Sequence, residues 1–184
     1  MDRKKTNRKY FWLLPLLIIA LLSGCWIFSG TWVIIYKVDK ADISATEHFY
    51  KFTVDLTKKS VWEDHKDDLD NIEDIAITFK LINHLSSAAT GRVYVSSNST
   101  LSDTSLVKSS ATIILDGISV PGDDSLHVEM ADYYDLLQNF EVLRDLVKTG
   151  TFTAYAIVPD MGVEPDLDVE FRNVVVVVTF SAGM

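Results

Sequence analysis

The chain has 184 residues, a single cysteine and a formal net charge of -9. One cysteine excludes an internal disulfide and a multi-cysteine metal site, and the acidic balance argues against nucleic acid as a partner. The roughly 160 residues that follow the N-terminal segment are enough to bury one hydrophobic core, so we expect a single domain.

The N-terminal segment combines the features of a secretory signal. Five basic residues lie in Arg3–Lys9, an uncharged apolar run covers Phe11–Leu22, and small residues precede the cysteine. The sequence Leu22-Ser23-Gly24-Cys25 resembles the lipobox of a bacterial lipoprotein signal peptide. That resemblance implies removal of residues 1–24, attachment of a lipid such as palmitate to Cys25, and a membrane-anchored mature domain of residues 25–184.

An uncleaved signal anchor is the alternative for residues 1–24. Phe11–Phe28 contains 18 residues without a charge, which is the lower limit for a helix of about 20 residues that spans a bilayer. Pro15 weakens such a helix, but the apolar residues 26–28 stand where lipoproteins commonly have a polar tether. Both alternatives predict an extracytoplasmic domain, and the lipoprotein resemblance implies anchoring at the outer membrane, at its periplasmic face or at the cell surface.

The acidic character increases when the N-terminal segment is left out. Residues 1–24 carry five basic residues and one acidic residue, so removal of this +4 from the total of -9 leaves -13 on residues 25–184. A solvated acidic exterior explains this charge most simply, and a cationic ligand or a basic protein is compatible with it.

The remaining sequence predicts a mainly β domain. Thr31–Val38 is rich in β-branched and aromatic residues, which predicts a buried first strand, and the alternation of Phe49–Leu56 predicts a second. The charged segment Lys59–Asn71 predicts a short helix or an irregular crossing. Further strands are predicted at 75–81, at Val93 and Val95, at 107–115 with an end at Asp116-Gly117, at 151–158 and at 167–180.

One long amphipathic helix is predicted over residues 130–148. Its apolar positions recur at steps of three and four residues, and they are Tyr133, Leu136, Leu137, Phe140, Leu143 and Val147. Gly150 is placed to end this helix.

Five consecutive valines at 174–178 predict a strand that is paired on both sides, because an exposed edge of this composition would aggregate. Asn173 interrupts the alternation before the valines and predicts a β-bulge near Arg172 and Asn173. Together these patterns predict an antiparallel β-sandwich, or a curled barrel, with an inserted helix. A parallel α/β sheet is disfavoured, because only one helix is convincing.

The sequence contains no recognisable catalytic motif. Nucleophile elbows, phosphate loops, zinc-binding helices and dinucleotide-binding glycine patterns are all missing from it. The four histidines, which share no ligand spacing, are His48, His65, His84 and His127. We therefore assign no catalytic residue and expect a noncatalytic protein.

An acidic segment is the best candidate for binding a hard cation such as Ca²⁺, which takes six to eight oxygen ligands. Its candidate ligands are Asp67, Asp68, Asp70, Glu73 and Asp74. The spacing does not fit an EF-hand, because Ile72 stands at the third ligand position and no glycine makes the turn. A solvated charged crossing is the alternative.

Exposed aromatic rings offer a second type of site, since they serve as platforms for sugars in β-sandwich domains. The candidates, most of which we expect in the core, are Trp32, Trp62, Tyr94, Tyr133, Tyr134 and Tyr155.

The leading hypothesis is a membrane-tethered, noncatalytic binding or structural module with a protein or glycan ligand. A hydrolase with paired carboxylates, as in glycosidases, is one alternative. A cation-stabilised adhesion or carbohydrate-binding domain is the other.

Overall fold

A computed structural model describes residues 30–39, 43–46, 49–157 and 169–182, with the backbone alone at residues 43–46, 68, 70, 71 and 182. These residues form two antiparallel sheets. The first sheet contains, in spatial order, β1 (Gly30–Lys37), β9 (Val169–Ala182), β4 (Ile72–Asn83) and β7 (Asp124–Val128). The second contains β2 (Ile43–Thr46), β3 (Phe49–Asp55), β8 (Thr151–Ile157), β5 (Ala89–Ser96) and β6 (Thr112–Val120).

Four short α-helices connect the strands of the described segments. They are α1 (Ser60–His65), α2 (Thr104–Ser110), α3 (Met130–Leu136) and α4 (Phe140–Lys148), and 3₁₀ turns cover Leu56–Lys58 and Lys66–Asn71. Of the two alternatives predicted for Lys59–Asn71, the short helix is confirmed. In this part of the chain, no helix has both the length and the apolar composition that a bilayer span requires.

The two sheets face each other across one hydrophobic core, which confirms the predicted β-sandwich, and they do not close into a barrel. Ile34, Ile75 and Val176 of the first sheet belong to the same buried cluster as Val54 and Ala154 of the second. In β3, for example, Phe52 and Val54 face this core at alternate positions, as the period of two in a strand requires.

The valine-rich strand β9 lies between β1 and β4, as its composition predicts. Val174, Val176 and Val178 are buried in the core, whereas Val175 and Val177 are half-buried on the outer face. The predicted bulge is also confirmed. Thr78 pairs with Val175 but Lys80 pairs with Arg172, so β9 contains one extra residue, and Asn173 adopts a left-handed φ of 53°.

The first strand is only half buried, which corrects the prediction for Thr31–Val38. Ile34, Tyr36 and Val38 face the core, but Val33 and Ile35 are 47% and 52% exposed. The reason is the position of β1 at the edge of its sheet, where the outer face has no covering layer among the described residues.

The prediction of one long helix over residues 130–148 is wrong, because the chain forms α3 and α4 with a break between them. At the break, Asn139 has a left-handed φ of 49°. The Gln138 N–H donates to the Ile114 carbonyl at 2.8 Å, and the Asn139 side chain donates to the Ile113 carbonyl at 2.9 Å. The break therefore provides hydrogen-bond donors for two carbonyls of the edge strand β6. The helical spacing of the apolar residues continues from α3 to α4 across the break.

The predicted strand over residues 107–115 is also wrong in its first half, which forms α2. The Asp103 carboxylate accepts a hydrogen bond from the Leu106 N–H at 2.9 Å and caps this helix. Val107 is fully buried in a second, smaller apolar cluster with Tyr94 and Tyr155, and this contact favours the helix over the strand.

Asp116-Gly117 does not end β6, contrary to expectation, and the strand continues to Val120. Gly117 has a φ of 80°, and the pairing of β5 with β6 shifts register beside it. The glycine therefore makes a bulge within the strand.

Gly150 ends α4, as predicted, and also has a φ of 80°. It differs from Gly117 in its surroundings. A Cβ atom at Gly150 would lie 2.6 Å from Cζ2 of Trp62 and 2.8 Å from Cγ2 of Thr57, whereas a Cβ atom at Gly117 would meet only Leu136 at 3.9 Å.

This pair of glycines separates backbone strain from steric conflict. We expect Gly117→Ala to lower the free energy of unfolding by about 1 to 2 kcal/mol, because only the left-handed backbone is penalised. Gly150→Ala should lower it by about 2 kcal/mol more, because the added methyl group must also displace the Trp62 ring. Denaturant unfolding of both variants measures the difference, and equal losses would contradict the close packing of Gly150.

Candidate functional site

The predicted cation ligands lie at the start of β4 and in the 3₁₀ turn before it. Asp67 and Glu73 are exposed, and the Asp74 carboxylate accepts a hydrogen bond from the Tyr134 hydroxyl at 2.5 Å. Among the side chains that the structure describes, no three acidic or histidine residues form a group that could hold a metal ion. Asp68 and Asp70 lie outside those side chains, so the cation site stays a prediction.

The described histidines lie on three separate elements. The His65 ring on α1 stacks on Trp32 with centroids 4.1 Å apart. His84 follows β4 and approaches the Glu170 carboxylate at 4.0 Å, and His127 is exposed on β7. His48 lies outside the described residues.

The aromatic candidates are mostly core residues, as expected. The buried ones are Trp62, Tyr94, Tyr133 and Tyr155. Trp32 and Tyr134 are 40% and 50% exposed. Trp32 lies in the core-facing row of the sheet opposite Phe180, whereas Tyr134 contacts Asp74, which points from the other face. The two exposed rings therefore do not share one sugar-binding platform.

Among the described residues, Tyr133 has the titratable group whose pKa departs most from its ordinary value. Burial raises the pKa of its hydroxyl, and the neighbouring Asp74 carboxylate and the Tyr134 hydroxyl raise this pKa further. The hydroxyl has no hydrogen-bond partner among the described residues. A phenol that is fully buried cannot reach a substrate, so we interpret Tyr133 as a packing residue.

A cleft of about 390 Å³ lies where the end of β1 meets the bulge of β9. Its polar lining residues are Lys37, Asp39, Arg172 and Asn173. The Arg172 guanidinium already donates to the Glu170 carboxylate at 2.7 Å. Asp39 is the one carboxylate in the described lining, whereas hydrolysis by paired carboxylates requires two that face each other.

An exposed apolar surface on the outer face of the first sheet is the better candidate for an interaction site. It consists of Val33 and Ile35 on β1 with Val175 and Val177 on β9, and we name it the β1 strip. Ile35 is paired with Val177, so the two strands present a continuous surface. Exposed contiguous apolar side chains commonly mark contact sites for proteins or membranes. The sequence does not reveal this strip, because the apolar composition of Thr31–Val38 predicts a buried strand and does not show that β1 lies at the edge of its sheet.

Two buried tyrosines test the interpretation of Tyr133 as a packing residue. The Tyr155 hydroxyl donates to the Asn98 carbonyl at 2.6 Å, so Tyr155→Phe should lower the free energy of unfolding by about 1 kcal/mol. Tyr133→Phe should leave it unchanged or raise it, because the lost hydroxyl is buried without a partner in the described structure. Denaturant unfolding measures both, and a clear loss for Tyr133→Phe would indicate a partner for its hydroxyl.

Comparison with known proteins adds no relative to this description. No protein-family model matches the sequence, and no curated protein matches it. The functional assignment therefore depends on the residues of this chain alone.

Proposed function

We propose that the protein is a membrane-tethered extracytoplasmic lipoprotein, anchored through a lipid on Cys25, whose sandwich is a noncatalytic binding or structural module. The observation that carries this proposal is the short sequence distance between the lipobox cysteine and the first strand of the sandwich. β1 begins at Gly30, five residues after Cys25. Five residues span at most about 17 Å when fully extended, so an anchor at Cys25 holds the sandwich at the membrane surface.

The surfaces of the domain support contact with another molecule rather than chemistry. Val33 and Ile35 of the β1 strip lie within ten residues of Cys25 in the sequence, so the anchor would hold this surface near the bilayer. Its side chains carry neither charge nor nucleophile. Apolar side chains of this kind contribute to binding through their removal from water, at about 25 cal/mol per Å².

The charge of the domain favours some ligands over others. Residues 25–184 carry a formal charge of -13, so long-range attraction operates only on cationic partners. The cleft beside the strip differs from this average, because Lys37 and Arg172 line it together with Asp39. A protein or glycan ligand that docks at this side of the sandwich would therefore not meet the acidic surface that dominates elsewhere.

Intact-mass measurement of the membrane-extracted protein tests the anchor. We expect the wild-type protein to lack residues 1–24 and to carry added acyl mass, and Cys25→Ser to lack the acyl mass. Ser23→Ala is the matched control, because a small residue is kept before the cysteine and processing should continue. A wild-type protein that retains Met1 and carries no lipid would show that residues 1–24 form a signal anchor instead.

A further inference from the structure

Three of the four sheet edges in the described structure are protected against pairing with another chain. The edge of β6 is covered by the segment between α3 and α4, through the bonds of Gln138 and Asn139 to the Ile114 and Ile113 carbonyls. β2 has only four residues. β7 has five, and Asp124, Ser125 and His127 are exposed along it. Short strands, polar side chains and covering segments are the usual protection of sheet edges.

The edge of β1 is neither short nor covered in the part of the chain that the structure describes, and its polar side chains, Thr31 and Lys37, lie near its two ends. The strand has eight residues, contains no proline, and keeps one register with β9 from Gly30 to Lys37. Lys37, at its end, is the one charged residue within it. Val33 and Ile35 expose their side chains beside this edge. A long, regular and apolar edge is a template for another strand.

The hydrogen-bond phase of β1 defines which groups face this edge. The Val38 N–H donates to the Val174 carbonyl at 2.9 Å. Because bonded residues alternate along an antiparallel pair, the even-numbered residues of β1 bond to β9. The N–H and C=O groups of Thr31, Val33, Ile35 and Lys37 therefore point away from β9, toward the open edge.

We propose that this edge pairs with the same edge of a second copy of the chain, with Ile34 on the two-fold axis. In this register Thr31 bonds to Lys37 of the second copy and Val33 bonds to Ile35, and both pairs occur twice by symmetry. All four residues within Gly30–Lys37 whose backbone groups point to the open edge then have hydrogen-bond partners in β1 of the second copy. A shift of the axis to residue 33 or 35 leaves one of them without a partner in that range. The four-stranded sheet of one copy and that of the second copy then form one continuous sheet of eight strands.

Charge and side-chain contacts favour a second copy as the occupant. The acidic domain repels its own copies over most of its surface, but β1 contains no acidic residue. In the proposed register each Lys37 lies opposite Thr31, and the two lysines are at opposite ends of the paired strands. Val33 and Ile35 of both copies are neighbours across the axis, so the two β1 strips form one apolar surface.

The pairing does not depend on the lipid and is compatible with it. The strands run antiparallel, so the two Gly30 residues lie at opposite ends of the interface. Both N-terminal segments reach one bilayer when the two-fold axis is perpendicular to the membrane. Tethering to a common surface then raises the effective concentration of the copies.

A pair of engineered cysteines tests the register in the full-length chain in membranes. In the Thr31→Cys/Lys37→Cys double variant, the cysteine at position 31 of one copy lies opposite the cysteine at position 37 of the other. Their Cα atoms are about 5.5 Å apart, a distance that a disulfide can bridge. We expect a covalent dimer on a non-reducing gel after mild oxidation. Either single variant should give no covalent dimer on this gel, because six residues of strand place identical positions about 20 Å apart. The same separation prevents a bridge within one chain.

The single variants also control for Cys25, which any unlipidated chain would expose to oxidation. Cross-linking of a single variant as strongly as the double variant would overturn the proposed register. A double variant that keeps the wild-type melting temperature but stays monomeric would overturn the pairing itself. Retention of Met1 in the mass measurement would contradict the lipoprotein proposal and leave these results unaffected, so the two proposals fail separately.

Charged substitutions test the interface without cysteines. We expect Val33→Lys and Ile35→Lys each to weaken dimerisation by on the order of tenfold, since the symmetry repeats each substitution and about 1.4 kcal/mol corresponds to tenfold. Val142→Lys, at another exposed apolar residue on α4, is the control and should leave dimerisation unchanged. Sedimentation of the detergent-solubilised chain measures the mass. A monomeric wild-type protein whose Val33→Lys variant loses binding to vesicles would instead identify the bilayer as the occupant.

Discussion

The pairing of β9 on both of its edges is the constraint on which the rest of the molecule depends. Its backbone groups bond to β1 on one side and to β4 on the other, so a strand with five consecutive valines exposes no edge. Val174, Val176 and Val178 then contribute to the core between the sheets. The same register pairs Ile35 with Val177 and places Val33 and Val175 two positions further along their own strands on the same face, and thereby creates the β1 strip.

The bulge at Asn173 changes the phase of side-chain alternation along β9, so the residues that face the core differ in parity before and after it. Without an extra residue, Phe171 and Val174 would point to opposite faces of the sheet, because side chains alternate along a strand. The left-handed backbone at Asn173 resets the alternation, and both side chains reach the interior. The cleft lined by Lys37 and Arg172 lies at this irregularity, so the packing of β9 also determines the position of this cleft.

Local patterns in the sequence predicted the parts of the fold that depend on periodicity. The alternation of Phe49–Leu56, the valine run and the bulge at Asn173 all follow from side-chain spacing, and all are confirmed.

The errors occurred where tertiary contacts outweigh local preference. Residues 107–110 have strand-like neighbours but form a helix, because Asp103 caps it and Val107 fills a separate cluster. The segment over residues 130–148 has one continuous helical spacing. The helix is nevertheless interrupted at Asn139, because the chain there donates hydrogen bonds to the edge strand β6. Strand order is a property of the whole chain, so the exposure of Val33 and Ile35 was beyond prediction from Thr31–Val38 alone.

The pairing of β1 with β9 joins nearly the two ends of the described chain, since Gly30 lies opposite Ala182. Contacts between residues so distant in sequence form slowly, because a large loop must close before the pairing stabilises it. During synthesis, β1 is made first and its neighbour β9 last. Until then both edges of β1 and the apolar side chains on both of its faces remain open to solvent. The segment most prone to pair with another chain therefore stays exposed until β9 has been made and has paired with it.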